Sequence, residues 1–381
     1  MSTSAPAGLA QPVLITGAAG FIGKNLAANL AAAGYSDLML YDISSHEGSL
    51  EEYARRASFV FHLAGVNRPQ NPAEFYSGNS DLTVRLLALL RQHGNKAPVL
   101  LTSSAQAGNG SDYAKSKEEA EEAAFAHQTA NSSPVYVYRL PGVFGKWCRP
   151  SYNSVVATFC HNIANGLPLE IRDPAYAFPV CYIDDVISAF CLVLEGKTSS
   201  PAPGVFLDME PSYTVSLGQL AATIQGFAES RASLLLPDMG DPLTKKLYAA
   251  YLSYLPAGGF SYPLTGHSDD RGSFTECLRS DNCGQVSVNI IRPGIVKGNH
   301  WHNTKNEKFL TVSGSTVTRF RKIDDEKVLE YPTTGEKLEM IDIPTGYTHN
   351  IENTGSADAV VLMWANEAFD PDNPDTIFEK V

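Results

Sequence analysis

Val13-Leu14-Ile15-Thr16-Gly17-Ala18-Ala19-Gly20-Phe21-Ile22-Gly23 decides how the first half of this chain folds. The apolar run 13–15 reads as a strand, and the glycines at 17, 20 and 23 lead into an amphipathic stretch over 23–33 that reads as a helix. A strand that turns through glycines into a helix presents unpaired backbone N–H groups and the positive end of the helix dipole. The missing side chains let a pyrophosphate reach that end. Gly17, Gly20, Phe21, Ile22 and Gly23 are therefore candidate dinucleotide contacts. Asp42 follows the next apolar run, 38–41. A carboxylate there accepts hydrogen bonds from an adenosine ribose and repels a 2′-phosphate, so taken alone it favours NADH over NADPH. At His62-Leu63-Ala64-Gly65 a third run ends in small residues. Leu63, Ala64 and Gly65 either lie against the same cofactor or simply pack.

Working outward, strands are expected at 13–15, 38–41, 59–63, 99–102 and 135–139, with helices at 23–33, 74–93 and 113–130 and a helix stop at Asn131-Ser132-Ser133-Pro134. That alternation is the rhythm of βαβ units, an α/β fold with a doubly wound, Rossmann-type parallel sheet. Pro/Gly/Ser-rich breaks at 198–204 and 256–263 put the domain boundary near residue 250, dividing the chain into 1–250 and 251–381. Beyond it, short runs at 285–291, 309–313, 316–321 and 359–364 are separated by Pro-Gly, Ser-Gly and Asn-Thr-Gly turns. They predict an all-β barrel or double-sheet jelly roll.

Two domains suit 381 residues, and 44% hydrophobic content is enough for both cores. A net charge of −12 argues against a general nucleic-acid binder. No run approaches the roughly 20 apolar residues of a membrane span, and residues 1–10 lack the features of a signal peptide, so a cytoplasmic protein is expected. Residues 2–8 read as a frayed terminus. The six cysteines have no Cys-x-x-Cys pair and read as buried thiols in a reducing compartment.

Two constellations carry chemistry. Tyr113 and Lys117 stand four apart on one face of an expected helix, downstream of Thr102-Ser103-Ser104. An ammonium beside a phenol lowers the phenol's pKa and suits it to proton transfer at a carbonyl or carbinol oxygen, which Ser104, or alternatively Ser103, could hold. Far along the chain, His300-x-His302-x4-Glu307 is followed by Pro344-x-Gly346-x-x-His349-x-x-x-Asn353. Three imidazoles and a carboxylate make a donor set for zinc or another divalent first-row metal, and two histidines spaced by two on a strand share a face.

The glycine run, the serines, Tyr113 and Lys117, with Arg139-Leu140-Pro141-Gly142-Val143-Phe144-Gly145 and Tyr182-Ile183-Asp184-Asp185-Val186, resemble the extended short-chain dehydrogenase/reductase family, which acts mainly on nucleotide sugars. The resemblance implies a sugar-nucleotide subdomain within 1–250. It implies Tyr113 as proton donor, Lys117 as its orienting partner and Ser104 as the residue positioning the keto oxygen. The two histidine segments resemble both signature motifs of the cupin family, which makes His300, His302, Glu307 and His349 the metal ligands. Asp269-Asp270-Arg271-Gly272-Ser273-Phe274 resembles the opening of cupin-type sugar epimerases. There Arg271 could hold a diphosphate or form a surface salt bridge. Lys305 and Tyr347 are candidates for an epimerisation base.

The combination, most specifically at residues 61–69, 144–148, 152–155, 298–302 and 346–353, resembles the family of CapF-type capsular polysaccharide assembling proteins. It implies a two-step enzyme of UDP-N-acetyl-L-fucosamine synthesis acting on a UDP-linked 4-keto-6-deoxy-N-acetylhexosamine. The cupin domain would epimerise carbon 3, and the Rossmann domain would reduce carbon 4 to UDP-2-acetamido-2,6-dideoxy-L-talose. The family implies NADPH, while Asp42 leaves NADH open; it also implies a homodimer and neither nucleic-acid nor membrane partners. A simple ketoreductase with a structural metal domain, and a nonenzymatic sugar-nucleotide sensor, are the competing readings. Ser104, Tyr113 and Lys117 speak against the sensor.

Overall fold

The structure, a computed structural model, describes residues 11–46, 48–368, 370, 372 and 374–381; the frayed terminus expected over 2–8 lies outside them. In the first unit, β1 (Val13–Thr16), β2 (Leu38–Tyr41), β3 (Phe59–His62), β4 (Val99–Ser104) and β5 (Val135–Leu140) pair in parallel in the order β2-β1-β3-β4-β5. Strands β1 and β3 are buried along their whole length, which is why their sequences are continuous apolar runs rather than alternating ones. The strand order reverses between β1 and β3, and a sheet of this kind opens a ligand crevice at the carboxyl ends of such a pair. The glycine run lies there.

Helices α1 (Phe21–Ala32), α2 (Ser49–Arg56), α3 (Ala73–Phe75), α4 (Leu82–Gln92) and α5 (Asp112–Asn131) connect these strands. The continuous helix expected over 74–93 is instead interrupted by a π-helical turn, Tyr76–Asp81, between α3 and α4. Further on come β6 (Gly142–Phe144), α6 (Val155–Ala164), β7 (Ala177–Tyr182), α7 (Ile183–Leu194), β8 (Tyr213–Ser216), α8 (Leu217–Ser233) and α9 (Pro242–Leu252), with β6, β7 and β8 forming a small separate sheet. Leu26 and Leu30 of α1 pack with Ile187 and Phe190 of α7 in one core. Leu86 and Leu90 of α4 pack with Ala120 and Ala124 of α5 in another. Both faces of the parallel sheet are thus covered, each fully buried Leu, Ile or Phe contributing roughly 1.5–3 kcal/mol.

The chain divides into Met1–Ile224 with Lys246–Leu255, and Gln225–Lys245 with Pro256–Val381. A single cut near residue 250 does not describe this: 225–245 groups with the second unit. The chain rejoins the first at Lys246, whose ammonium donates to Asp185 Oδ2 at 2.7 Å and Tyr213 Oη at 2.8 Å.

The second unit is antiparallel throughout its two main sheets. Its strands are β9 (Gly266–Asp269), β10 (Gly272–Ser280), β11 (Gly284–Ile291), β12 (Val296–Trp301), β13 (Glu307–Ser313), β14 (Ser315–Lys322), β15 (Val328–Thr334), β16 (Met340–Ile343), β17 (Tyr347–Asn353), β18 (Ala359–Ala365) and β19 (Ile377–Phe378). One sheet runs β16-β13-β18-β11-β10-β9, the other β15-β14-β17-β12-β19. Ile291, Phe309, Phe320, Ile343, Ile351 and Val361 fill a core with contributions from both sheets. This is the double-sheet jelly roll that the turn spacing predicts.

The glycines differ sharply in what a side chain would meet. Gly17 has φ +67°, and a Cβ there would lie 2.7 Å from Ala64 N. A Cβ on Gly23 would lie 2.1 Å from the Gly17 carbonyl oxygen, so backbone must move to admit it. Gly226, inside α8, would meet nothing within 4 Å. Gly23→Ala is therefore expected to destabilise the protein by about 1–3 kcal/mol and to weaken nicotinamide-cofactor binding. Gly226→Ala should stabilise it by roughly 0.5–1 kcal/mol. Thermal melts and cofactor titrations check both.

Candidate active site and metal centre

At the carboxyl ends of β1, β3 and β4, several buried polar side chains are joined in one network. Thr83 Oγ1 donates to the Asn79 carbonyl at 2.6 Å, so it accepts from His62 Nε2 at 2.8 Å. The ring proton is therefore on Nε2, and Nδ1 accepts the Thr16 hydroxyl at 2.7 Å. Burial, helped by Lys117, pushes His62 down to about 3, so the imidazole is a neutral strut. Asn79 extends the network. Its Oδ1 accepts from Val66 N at 2.8 Å, and its Nδ2 donates to Val66 O at 3.2 Å and Ser116 Oγ at 2.9 Å. The 63–66 turn is thereby pinned to α5. The π turn delivers Asn79, and Gly78 within it leaves room for Val66, whose Cγ2 would lie 2.3 Å from a Cβ there.

Helix α5 begins where Ser111 Oγ accepts the Ala114 N–H, and this sets Tyr113 and Lys117 on the sheet side. Ser104 hydrogen-bonds the Tyr113 phenol, whereas Ser103 Oγ is buried without a hydrogen-bond partner among the described residues. Lys117 Nζ donates to the Thr102 carbonyl at 3.2 Å and sits where a Cβ on Gly65 would come within 3.0 Å of it. The phenol's pKa departs from the sequence expectation. Burial pushes Tyr113 up, and only the Ser104 hydrogen bond opposes this. Burial also pushes Lys117 down, to about 8, against the pull of Glu121. With the ammonium turned toward Thr102, desolvation outweighs the expected effect of lysine on tyrosine.

Asp42 closes the glycine turn: Oδ2 accepts from Ala19 N and Oδ1 from Ile43 N, each at 2.8 Å. Both carboxylate oxygens stay fixed beside the turn that carries the candidate pyrophosphate contacts. Elsewhere in the first unit a hollow of about 730 Å³ is lined by residues that include Arg68, Tyr152, Asn153, Ser154 and Asn162.

In the second unit, ligand atoms of His300, His302, Glu307 and His349 all lie within 4.8 Å of one another. His300 and His349 are cross-strand neighbours on β12 and β17, with ring centroids 4.6 Å apart. Glu307 opens β13. Its Oε2 lies 3.5 Å from His302 Nε2 and 3.3 Å from His349 Nε2, yet these buried atoms have no hydrogen-bond partner among the described residues. Leaving such atoms unmatched is costly, and a cation at their centre would satisfy them together. The protonation states suit one. Burial and His349 push His300 down to about 4. Burial works to raise Glu307, but His302, His349 and Lys305 outweigh it and hold the carboxyl well below its usual range. His302 Nδ1 faces the Asp375 carbonyl oxygen. That oxygen can only accept, so Nδ1 carries the proton and Nε2 keeps its lone pair for a metal.

Asp375 also organises the turn between ligands. Its carboxylate accepts the backbone N–H groups of Asn303 at 2.9 Å, Thr304 at 2.7 Å and Lys305 at 2.9 Å. Nothing near Asp375 in sequence signals this role. A cavity of about 930 Å³ opens over the cluster and is lined by residues that include Lys305, Lys297, Phe274 and Arg279. Of the two base candidates, Lys305 lines this cavity; Tyr347 packs against the apolar core instead. Arg271 is exposed and bound to Asp269 at 2.6 Å, the salt-bridge alternative. Lys297 reaches the cavity through a bulge. The pairing of β12 with β17 shifts between Gly298 and His300, with Gly298 at φ +102° and Asn299 at +64°. Regular alternation would set residues three apart on opposite faces; the bulge brings Lys297 and His300 onto one.

Residues 13–207 match the NAD dependent epimerase/dehydratase family, and 267–377 match the polysaccharide biosynthesis C-terminal domain. A Pseudomonas aeruginosa UDP-2-acetamido-2,6-beta-L-arabino-hexul-4-ose reductase is 46% identical over 96% of this chain and 97% of its own length. The capsular polysaccharide assembling protein CapF from Staphylococcus aureus is 44% identical, with a TM-score of 0.91 over 97% of this chain and 100% of that one. The chain belongs to the CapF-type capsular polysaccharide assembling proteins. Over 64% of its length the chain shares its fold with 92% of the Bordetella bronchiseptica enzyme WbmF, solved with NADH, at 17% identity and a TM-score of 0.53. Among the described residues no helix is long and apolar enough to cross a membrane.

Asp375→Ala should weaken metal binding by roughly 10- to 100-fold without removing a ligand side chain, while His349→Ala should abolish it. Metal content after dialysis against graded chelator, read by elemental analysis, checks both. Equal retention in wild type and Asp375→Ala would deny Asp375 its supporting role.

Proposed function

We propose that the chain is a two-step UDP-sugar enzyme: the second unit epimerises carbon 3 of a UDP-2-acetamido-2,6-dideoxy-4-keto hexose, and the first reduces the carbon-4 ketone. The observation that carries this reading is the presence in one chain of two built sites of different chemistry. One is a Ser104-bonded Tyr113 one helical turn from a buried Lys117; the other is a four-donor cluster under a cavity. The P. aeruginosa relative, named as a reductase of a 4-keto sugar, supports the substrate class.

In the first unit the nicotinamide supplies the hydride. Tyr113 gives its proton to the carbon-4 oxygen as the carbonyl becomes a carbinol, Ser104 holds that oxygen, and the Lys117 charge eases the loss of the phenolic proton. Arg68, a planar fork of donors, suits the diphosphate of the substrate. In the second unit His300, His302, Glu307 and His349 would hold a divalent ion, zinc by donor type, which as a Lewis acid polarises a carbonyl. The ketone at carbon 4 acidifies the proton at carbon 3, and Lys305 is the cavity group assigned to move it. Reduction removes the ketone, so epimerisation comes first and the product is UDP-2-acetamido-2,6-dideoxy-L-talose. The family resemblance implies NADPH, while Asp42 disfavours a 2′-phosphate and leaves NADH open; initial rates with each decide this, and a strong NADPH preference would overturn the Asp42 argument.

A second reading, a ketoreductase whose metal is structural, draws on the relative's name, which mentions reduction alone. The keto sugar is incubated in deuterated buffer with and without reduced cofactor and followed by NMR. Tyr113→Phe should slow carbon-4 reduction by at least about 100-fold while leaving carbon-3 deuterium exchange intact. His300→Ala should abolish that exchange; exchange at the wild-type rate in His300→Ala would sink the two-step reading in favour of the second.

A further inference from the structure

Helix α5 buries a carboxylate that the proposed proton transfer does not use. Its buried residues are Ala114, Ser116, Lys117, Ala120, Glu121, Ala124 and His127, so three of seven are ionisable. Glu121 is 3% exposed. Its carboxylate accepts from Arg139 Nε at 2.9 Å and Nη2 at 2.6 Å, a fork-to-fork pair across to β5. The guanidinium in turn lies over the Phe206 ring, 3.8 Å from its centroid. Helix stability does not explain the placement. Lys117 precedes Glu121 by four residues, the less favourable order for an intrahelical pair, and burying the carboxylate costs more than such a pair returns.

We propose that Glu121 and Arg139 form a positioning pair for Lys117: the carboxylate bound to Arg139 is buried one helical turn from Lys117 on α5, and the negative charge that Arg139 leaves uncancelled decides how much charge Lys117 keeps. The inference rests on the reading of Lys117 as the partner of Tyr113. The groups facing the Lys117 ammonium are few. Among the described residues they include the Thr102 carbonyl on β4, which the ammonium contacts, Asn79 Oδ1 from the π turn, which lies with it beside Gly65, His62 on β3, neutral in the tautomer derived above, and Glu121 one turn along α5. Glu121 is the anion among them. Arg139 acts on Lys117 only through Glu121, and Glu118 is the other acid near Arg139.

The two halves of the pair therefore act in opposite directions. With Glu121→Gln the lysine loses its anion and gives up its proton more readily, so the alkaline limb of the kcat/KM profile for ketone reduction moves down by about one pH unit. With Arg139→Gln the carboxylate has no other cation to serve, and the limb moves up. A pair that merely braced the fold would lower activity in both variants and leave both limbs in place. NMR titration of the Lys117 side-chain resonance in lysine-labelled protein, assigned with Lys117→Arg, reads the same shifts without turnover. Opposite displacements support the proposal; unmoved limbs, or limbs moved the same way, overturn it. If Glu121→Gln does not fold, Glu121→Asp, which withdraws the carboxylate by one methylene, takes its place with a smaller downward shift. If the wild type turns over no UDP-4-keto sugar, the functional reading fails. If opposite NMR shifts persist in that case, the electrostatic coupling stands without it.

Discussion

The burial of the Lys117 ammonium is the constraint from which the first unit's site follows. A charge taken out of water must be met by dipoles or counter-charges, or it is lost as a proton. Here the Thr102 carbonyl meets it directly and Glu121 from one helical turn away. His62 is kept neutral by its burial and by the Lys117 charge beside it, while the Thr16 and Thr83 hydroxyls fix its tautomer. Gly65 belongs to the same arrangement, since any side chain there would press on the lysine nitrogen.

The second unit meets the same physical demand in reverse. Around His300, His302, Glu307 and His349 the chain gathers buried acceptors and leaves them facing one another. It spends its donors one layer out, on Asp375, whose carbonyl orients His302 and whose carboxylate holds the turn over 303–305. In the first unit the ring nitrogens of His62 and the Lys117 ammonium have partners within the chain, whereas in the second His302 Nε2, Glu307 Oε2 and His349 Nε2 have none among the described residues. On the proposed reading this is the difference between a site that would transfer protons through its own side chains and one that would use a Lewis acid.

Much of this could be read in the sequence because its signals are local. Gly17, Gly20 and Gly23 sit between a strand and a helix, Tyr113 and Lys117 are one helical turn apart, and His300, His302 and Glu307 fall within eight residues. Spacing along one element is enough to place such groups. What stayed hidden depends on long-range pairing. Asp375 lies 73 residues from His302, and Arg139 reaches Glu121 only because β5 runs beside β4, under α5. The π turn was hidden for a different reason, since a helical pattern over 74–93 does not reveal one extra residue in a turn. That extra residue is what aims Asn79 at Val66 and Ser116. Spacing alone brings lysine near the phenol but does not reveal the burial that raises Tyr113 and lowers Lys117.

The bulge in β12 shows how local irregularity can matter more than pattern. Strand periodicity puts His300 and His302 together, but it also assigns Lys297 to the opposite face. Left-handed backbone at Gly298 and Asn299 breaks the period just before the first ligand, and Lys297 enters the cavity with its ammonium on Asn289 Oδ1 at 2.7 Å and the Ile290 carbonyl at 3.1 Å. At Gly298 a Cβ would lie 2.9 Å from the His349 carbonyl oxygen, so the bulge and β17 are fitted to each other. A side chain at 298 would have to push β12 from β17 and with it His300 from His349. The same glycine thus sets both the spacing of His300 from His349 and the presence of the Lys297 ammonium in the cavity beside them.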